Sequence, residues 1–247
     1  MDPTVVILTY CDHPASAYGA LMVFDTLRVG YPDNRVIVID NGSHPEVLPK
    51  IKASATAAGC TFIEQPRFDF VHHFAWWLLE QDDARSLVLL DPDVVFWKKM
   101  DLPASPGLMS GRLIPQFKRN GVVSLPRLHP SHLYIQDVQA LREAVAKIPT
   151  WGFNPIGQVS AAIDGTLFSW DTCAPLYQAF SSECVTFNIK QLDCYDHLFY
   201  GSHLHKLKSL PPDSVPIAAH AAAKTGNVEA LRGIWRDQDE FFTRMAA

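Results

Sequence analysis

Three uninterrupted apolar runs limit the folds open to this chain: Thr4–Tyr10 (TVVILTY), Arg35–Asp40 (RVIVID) and Ser86–Leu90 (SLVLL). Aliphatic and β-branched residues without polar alternation suit strands buried on both faces, as the strands of a parallel sheet are. Between the first two runs, Tyr18, Leu21, Phe24 and Leu27 recur every three residues, predicting a helix over Ala15–Val29. Pro14 fits its first turn, and Gly30, Tyr31 and Pro32 stop it. Ile51–Ala58 and Val71–Gln81 read as further helices and Thr61–Glu64 as a short strand. This alternation predicts an α/β chain with an open, mostly parallel sheet flanked by helices.

After Leu102 the texture changes, with Pro103, Pro106, Pro115, Pro126 and Pro130 breaking the chain into loops. A helix is expected from Ser131 or Tyr134 to Lys147, then an irregular stretch over Pro149–Pro155. A strand at Val159–Phe168, helices at Cys173–Ser181 and Cys194–Lys206, and a strand at Val215–His220 follow. Val228–Met245 reads as an amphipathic helix with Leu231, Trp235 and Phe242 on one side, docking on its own domain.

The sequence has 247 residues, 48% hydrophobic and 19% charged, enough to bury a sizeable core. A net charge of −5 argues against a nucleic-acid partner, which calls for a basic excess. Five cysteines without a C-x-x-C read as free thiols in a reducing cytoplasm. No signal peptide and no stretch of roughly 20 apolar residues is visible, so no membrane span is expected.

Asp91-Pro92-Asp93 is the sharpest chemical feature. Four apolar residues deliver two carboxylates to the carboxyl end of a strand, where ligands of open α/β sheets bind. Two acids one residue apart, joined by a stiff proline, can converge on one hard divalent cation. The plainer alternative is a solvated turn. Asp40-Asn41-Gly42-Ser43 ends a second buried run; a short acid there can accept from a base or ribose while Gly42 admits close backbone approach, or the pair Asn41-Gly42 is simply a turn.

VVILTY, VIVIDNGS and LVLLDPDVVF, in that order, resemble the nucleotide-binding half of GT-A glycosyltransferases. The likeness covers the first hundred residues. It implies one GT-A-like domain: a nucleotide-binding half over 1–100, an acceptor and metal-closing half over 101–226, and a C-terminal helix over 227–247. By resemblance Asp40, with Thr9 and Asn41, lies by the nucleotide, and Asp91 and Asp93 meet ribose and a metal-diphosphate, with Mn2+ or Mg2+ as cofactor. Ala161–Phe168 resembles the segment that sets an acid against donor sugar or acceptor, which points to Asp164. Asp196-His197-Leu198 and VPIAAH resemble the closing pattern, in which an acid starts a helix and a later strand ends in a metal-binding His with a basic residue beyond. That makes His220 a metal ligand beside Asp93, with His197, His203 and His205 as rivals, and sends Lys224 to the diphosphate.

The expected reaction is glycosyl transfer from a nucleotide-sugar donor to a hydroxyl of a glycan or other acceptor. Asp196 or Asp164 would act as base if the reaction inverts; no Glu-Asp pair settles that point. Two other classes stay open. A nucleotidyltransferase would show a Gly-rich phosphate loop after the first strand, where Cys11-Asp12-His13 stands. A non-catalytic nucleotide- or glycan-binding module would bind without turnover. Arg67 is a candidate phosphate contact or a solvated cation; His72, His73, Trp76 and Trp77 are a candidate sugar wall or core.

Overall fold

The computed structural model describes residues 2–67, 84–104, 107–119, 121–147, 159–170, 173–198 and 215–246. The first half follows the alternation of the sequence: β1 (Thr4–Thr9), α1 (Ala17–Gly30), β2 (Val36–Asp40), α2 (Leu48–Ala57), β3 (Thr61–Glu64), β4 (Leu87–Leu90) and β5 (Val94–Phe96). Next come β6 (Met109–Ile114), β7 (Phe117–Arg119), β8 (Val122–Ser124), β9 (Arg127–Ile135) and α3 (Val138–Ala146). The chain continues through β10 (Val159–Ile163), β11 (Thr166–Trp170), α4 (Ala174–Phe180), β12 (Cys184–Thr186), α5 (Ile189–Leu192), β13 (Tyr195–His197), α6 (Val215–Lys224) and α7 (Ile234–Ala246).

A seven-stranded sheet of order β12-β6-β9-β4-β1-β2-β3 forms the centre. β1 pairs in parallel with β2 and with β4, and β9 is antiparallel to both β4 and β6. The apolar runs lack alternation because both sheet faces are covered. Val5, Ile7, Val36, Val38, Val88 and Leu90 pack against Val23, Phe24 and Leu27 of α1 and Ile51 of α2. Val6, Leu8, Ile37, Ile39, Leu87 and Leu89 face Leu141 and Val145 of α3 and Leu176 of α4. Burying a side chain of this kind is worth about 1.5–3 kcal/mol, which makes this sheet the firm platform of the molecule.

Four expectations for the second half are corrected. The segment from Ser131 begins as strand, closing β9 at Ile135 before Asp137 caps α3. The strand expected over Val159–Phe168 is a hairpin: Asp164 (φ 48) and Gly165 (φ 76) form a two-residue turn with both φ positive, the geometry that Asp-Gly favours. Tyr195–His197 is a strand rather than the start of a helix, because it pairs with β5. Val215–Lys224 is a helix rather than a strand and its closing loop; Pro216 sits in the first turn and the alanines favour helix. The helix expected over Val71–Gln81, the Pro149–Pro155 stretch, and residues His203 and His205 lie outside the described residues. No helix among the described residues is long and apolar enough to cross a membrane.

Candidate metal centre

The strand order 3-2-1-4 reverses between β1 and β4, so the crevice outside their carboxyl ends is where an open α/β sheet binds ligands. Asp91-Pro92-Asp93 turns there, and backbone bonds from three elements hold the corner. Asp91 N–H donates to Ser131 O of β9 at 2.9 Å, Val23 N–H of α1 to Pro92 O at 2.9 Å, and Leu198 N–H to Asp93 O at 2.8 Å. Asp93 is buried and Asp91 is partly exposed.

The third member comes from β13, which sets His197 opposite Val94. His197 Nε2 lies 3.1 Å from Asp93 Oδ1 and 3.7 Å from Asp91 Oδ2. One ligand atom from each of Asp91, Asp93 and His197 lies within 4.8 Å of the others. Burial alone would lower the His197 pKa, but Asp93, and then Asp91, outweigh it and raise it. The charges that favour a proton on the imidazole also favour a divalent ion. Two carboxylates and an imidazole are a fitting donor set for such an ion.

Several neighbours fix His197. Its backbone carbonyl accepts from Gln238 Nε2 of α7 at 2.8 Å, and Arg112 Nη1 donates to Gln238 Oε1 at 2.9 Å. The ring of partly buried His129 stands 4.8 Å from the His197 ring. Burial, with His197, Arg127 and Arg112 nearby, holds His129 well below the usual imidazole range, so it is neutral.

His220 is not in the three-residue group. It is buried on α6, and its Nδ1 shares a 2.6 Å hydrogen bond with the Tyr18 hydroxyl. Burial first, and then the charge of Asp93, push Tyr18 up to about 12. Tyr18 thus bonds His220 and also feels the charge of Asp93. Lys224 closes α6 one turn beyond His220 and is exposed.

Asp40 is enclosed. Its carboxylate accepts from Thr9 Oγ1 (3.0 Å), Gly42 N–H (3.1 Å), Ser43 N–H (2.9 Å) and Ser43 Oγ (2.6 Å). Asn41, also buried, donates its N–H to Thr9 O at 2.9 Å. Gly42 has φ 79, and a β-carbon there would run into Arg67, so a side chain would meet both strain and a clash. The wall above this loop is made by Tyr10 and Arg67, whose guanidinium sits 4.7 Å from the Tyr10 ring centroid.

Neither expected base, Asp164 or Asp196, is in the three-residue group. Asp164 stands exposed on the hairpin turn. Asp196 points away from His197, as strand alternation requires. It accepts from Trp97 Nε1 (2.6 Å), Gly233 N–H (2.7 Å) and Trp235 N–H (3.0 Å), so it caps the start of α7. Burial pushes its carboxyl up, against those bonds and Arg112.

No family model matches this chain, and no curated protein sequence matches it. Solved structures do. The WbbM bifunctional glycosyltransferase in its apo form superposes with a TM-score of 0.52 at 11% identity, over 91% of this chain and 45% of that one. This chain has the GT-A glycosyltransferase fold. It thus spans under half the length of the WbbM chain. The mannosyltransferase PcManGT from Pyrobaculum calidifontis, in complex with GDP-Man and Mn2+, aligns over 99% of this chain and 85% of its own, at 13% identity and a TM-score of 0.49. GlyE of Streptococcus pneumoniae TIGR4, in its apo form, aligns over 100% and 64%, at 11% and 0.47. The GT-A frame places the Asp91-x-Asp93 acids at the switch point and brings His197 to them.

Sequence reasoning named Asp91 and Asp93 and carried His197 as a rival to His220. Tyr18, His129, Arg112 and Gln238 carried no sequence signal, since each acts through a contact made only by the fold.

Proposed function

We propose that this protein is a metal-dependent glycosyltransferase, moving a sugar from a nucleotide-sugar donor to an acceptor hydroxyl. The observation that carries this reading is the convergence of Asp91, Asp93 and His197 outside the carboxyl end of β4 in a GT-A fold. These three would hold Mn2+ or Mg2+; the imidazole favours Mn2+, because Mg2+ prefers oxygen and water. Bound there, the ion neutralises charge on the departing nucleoside diphosphate.

The nucleotide would lie over the ends of β1 and β2. Asp40 shapes the loop from within, and Tyr10 and Arg67 form the exposed wall. An arginine over an aromatic ring still has N–H donors for phosphate oxygens. Neither Asp164 nor Asp196 is assigned as base, since one stands on an exposed turn and the other caps a helix. The five free cysteines suit a reducing compartment, so we place the protein in the cytoplasm.

The test is a thermal-shift panel of nucleoside diphosphates with and without Mn2+, followed by release of nucleoside diphosphate from the matching nucleotide sugar. Binding to the native state raises its midpoint. A rise that needs both ligands, together with turnover, supports the reading. Binding without turnover favours a non-catalytic module, and no rise with any nucleotide sinks it.

A further inference from the structure

We propose that a cavity at the start of α7 binds a monosaccharide carrying a negative group, either phosphate or carboxylate. The cavity has a volume of about 290 Å³ and is walled by Trp97, Lys98, Asp193, Arg232, Trp235 and Arg236. Asp91, Asp93 and His197 do not line it. It lies on the other side of β13, where Asp196 rather than His197 faces. This inference stands on its own residues and does not depend on the transferase reading.

The charge around the cavity is unequal in what it leaves available. Asp196 borders it, but its carboxylate already accepts three hydrogen bonds and caps the N-terminus of α7. Asp193 is bound by Arg236 Nη2 at 2.6 Å. Lys98 makes no ion pair among the described residues, and Arg232 has only a long, exposed contact of 3.8 Å to Glu229. Two cations therefore face a concave site with their donors largely unspent.

The arginines are also held in shape. Arg232 lies 5.5 Å from the Trp97 ring centroid and Arg236 lies 4.5 Å from that of Trp235. A guanidinium over an indole face gains a cation–π contact and still has N–H donors for a carboxylate or phosphate. The partly exposed Trp97 adds an apolar wall for the C–H face of a ring. Ligand pockets span roughly 300–1,000 Å³, so this one is sized for a single sugar rather than a nucleotide sugar.

The experiment is titration calorimetry on the full chain in EDTA, so that no divalent ion contributes. The probes are glucose 6-phosphate, glucuronate, glucose and inorganic phosphate. At least one charged sugar should bind, and glucose should bind far more weakly. The exposed double variant Lys98→Ala/Arg232→Ala should weaken that binding by about tenfold or more, in keeping with the loss of a charge-assisted bond. The same variant should keep its wild-type affinity for nucleoside diphosphate with Mn2+, which separates failure here from failure of the transferase reading. No binding of either charged sugar, or equal binding by the variant, overturns the proposal. Inorganic phosphate binding as tightly as the sugar phosphate overturns the sugar assignment.

Discussion

Gln238 Nε2 donates to the backbone carbonyl of His197 at 2.8 Å, so the C-terminal helix grips the strand that carries the imidazole of the metal group. The same amide accepts from buried Arg112, which also binds Asp239 at 2.6 Å and Trp235 O at 2.9 Å. Gln238→Leu should leave a buried carbonyl and a guanidinium edge without partners, each costing about 1–3 kcal/mol. Urea unfolding should show a lower midpoint, and Mn2+ binding followed by electron paramagnetic resonance should weaken. A variant as stable as wild type would mean that the clamp does not form in solution.

The metal group predicts which histidine matters. His197→Ala removes one of three converging donors and should weaken Mn2+ by more than the 10–100-fold typical of losing an outer partner. His220→Ala breaks the Tyr18 contact and should keep most Mn2+ affinity. Asp93→Ala should behave as His197→Ala does. Loss of Mn2+ in His220→Ala with retention in His197→Ala would reverse the assignment.

Much of the sheet was legible because its signal is local. VVILT, VIVID and LVLL are apolar throughout, and their periodicity does not depend on what packs against them. Asp91 and Asp93 were legible for the same reason, standing at the end of such a run. The second half was harder because long-range pairing decides it. Tyr195–His197 looks helical alone and is a strand because β5 lies beside it. Val215–His220 begins with strand-like residues, but the alanines and Pro216 carry it as helix. Asp164-Gly165 was a missed local signal: a two-residue turn was read as the middle of one strand over Val159–Phe168. His197 and His220 differ only in where the fold carries them, and no spacing could rank the two.

His132 gives a pH dependence. It is buried among Tyr31, Phe96, Phe187 and Tyr195, with Nε2 bonded to the Tyr31 hydroxyl at 2.6 Å, and burial lowers its pKa to about 3. The unfolded chain takes up a proton near the ordinary imidazole value while the native state refuses it. Stability should therefore fall as pH drops from about 6.5 toward 3, by up to about 1.4 kcal/mol per unit from this group. His132→Phe paired with Tyr31→Phe removes the titrating group without stranding the hydroxyl. The urea midpoint of the double variant should depend on pH less steeply, by one proton; parallel curves would assign the acid sensitivity elsewhere.

Asp40 separates a shaping role from a direct contact. Its carboxylate receives four hydrogen bonds inside the loop that joins β2 to Gly42 and Ser43. Asp40→Ala should thus strand several buried donors and cost about 3 kcal/mol or more, lowering stability and nucleotide affinity together. Asp40→Asn is the sharper test. Its amide oxygen can still accept from the Gly42 and Ser43 N–H groups, while its NH2 faces the Thr9 and Ser43 hydroxyls, which can rotate to accept. Stability should then fall by only about 1 kcal/mol, the net worth of one ordinary hydrogen bond. If the loop's shape is what the nucleotide needs, affinity for nucleoside diphosphate with Mn2+ should follow stability and stay within about threefold of wild type, since about 1.4 kcal/mol is tenfold. A stable Asp40→Asn protein that has lost nucleotide binding would instead show that the carboxylate turns outward and touches the ligand.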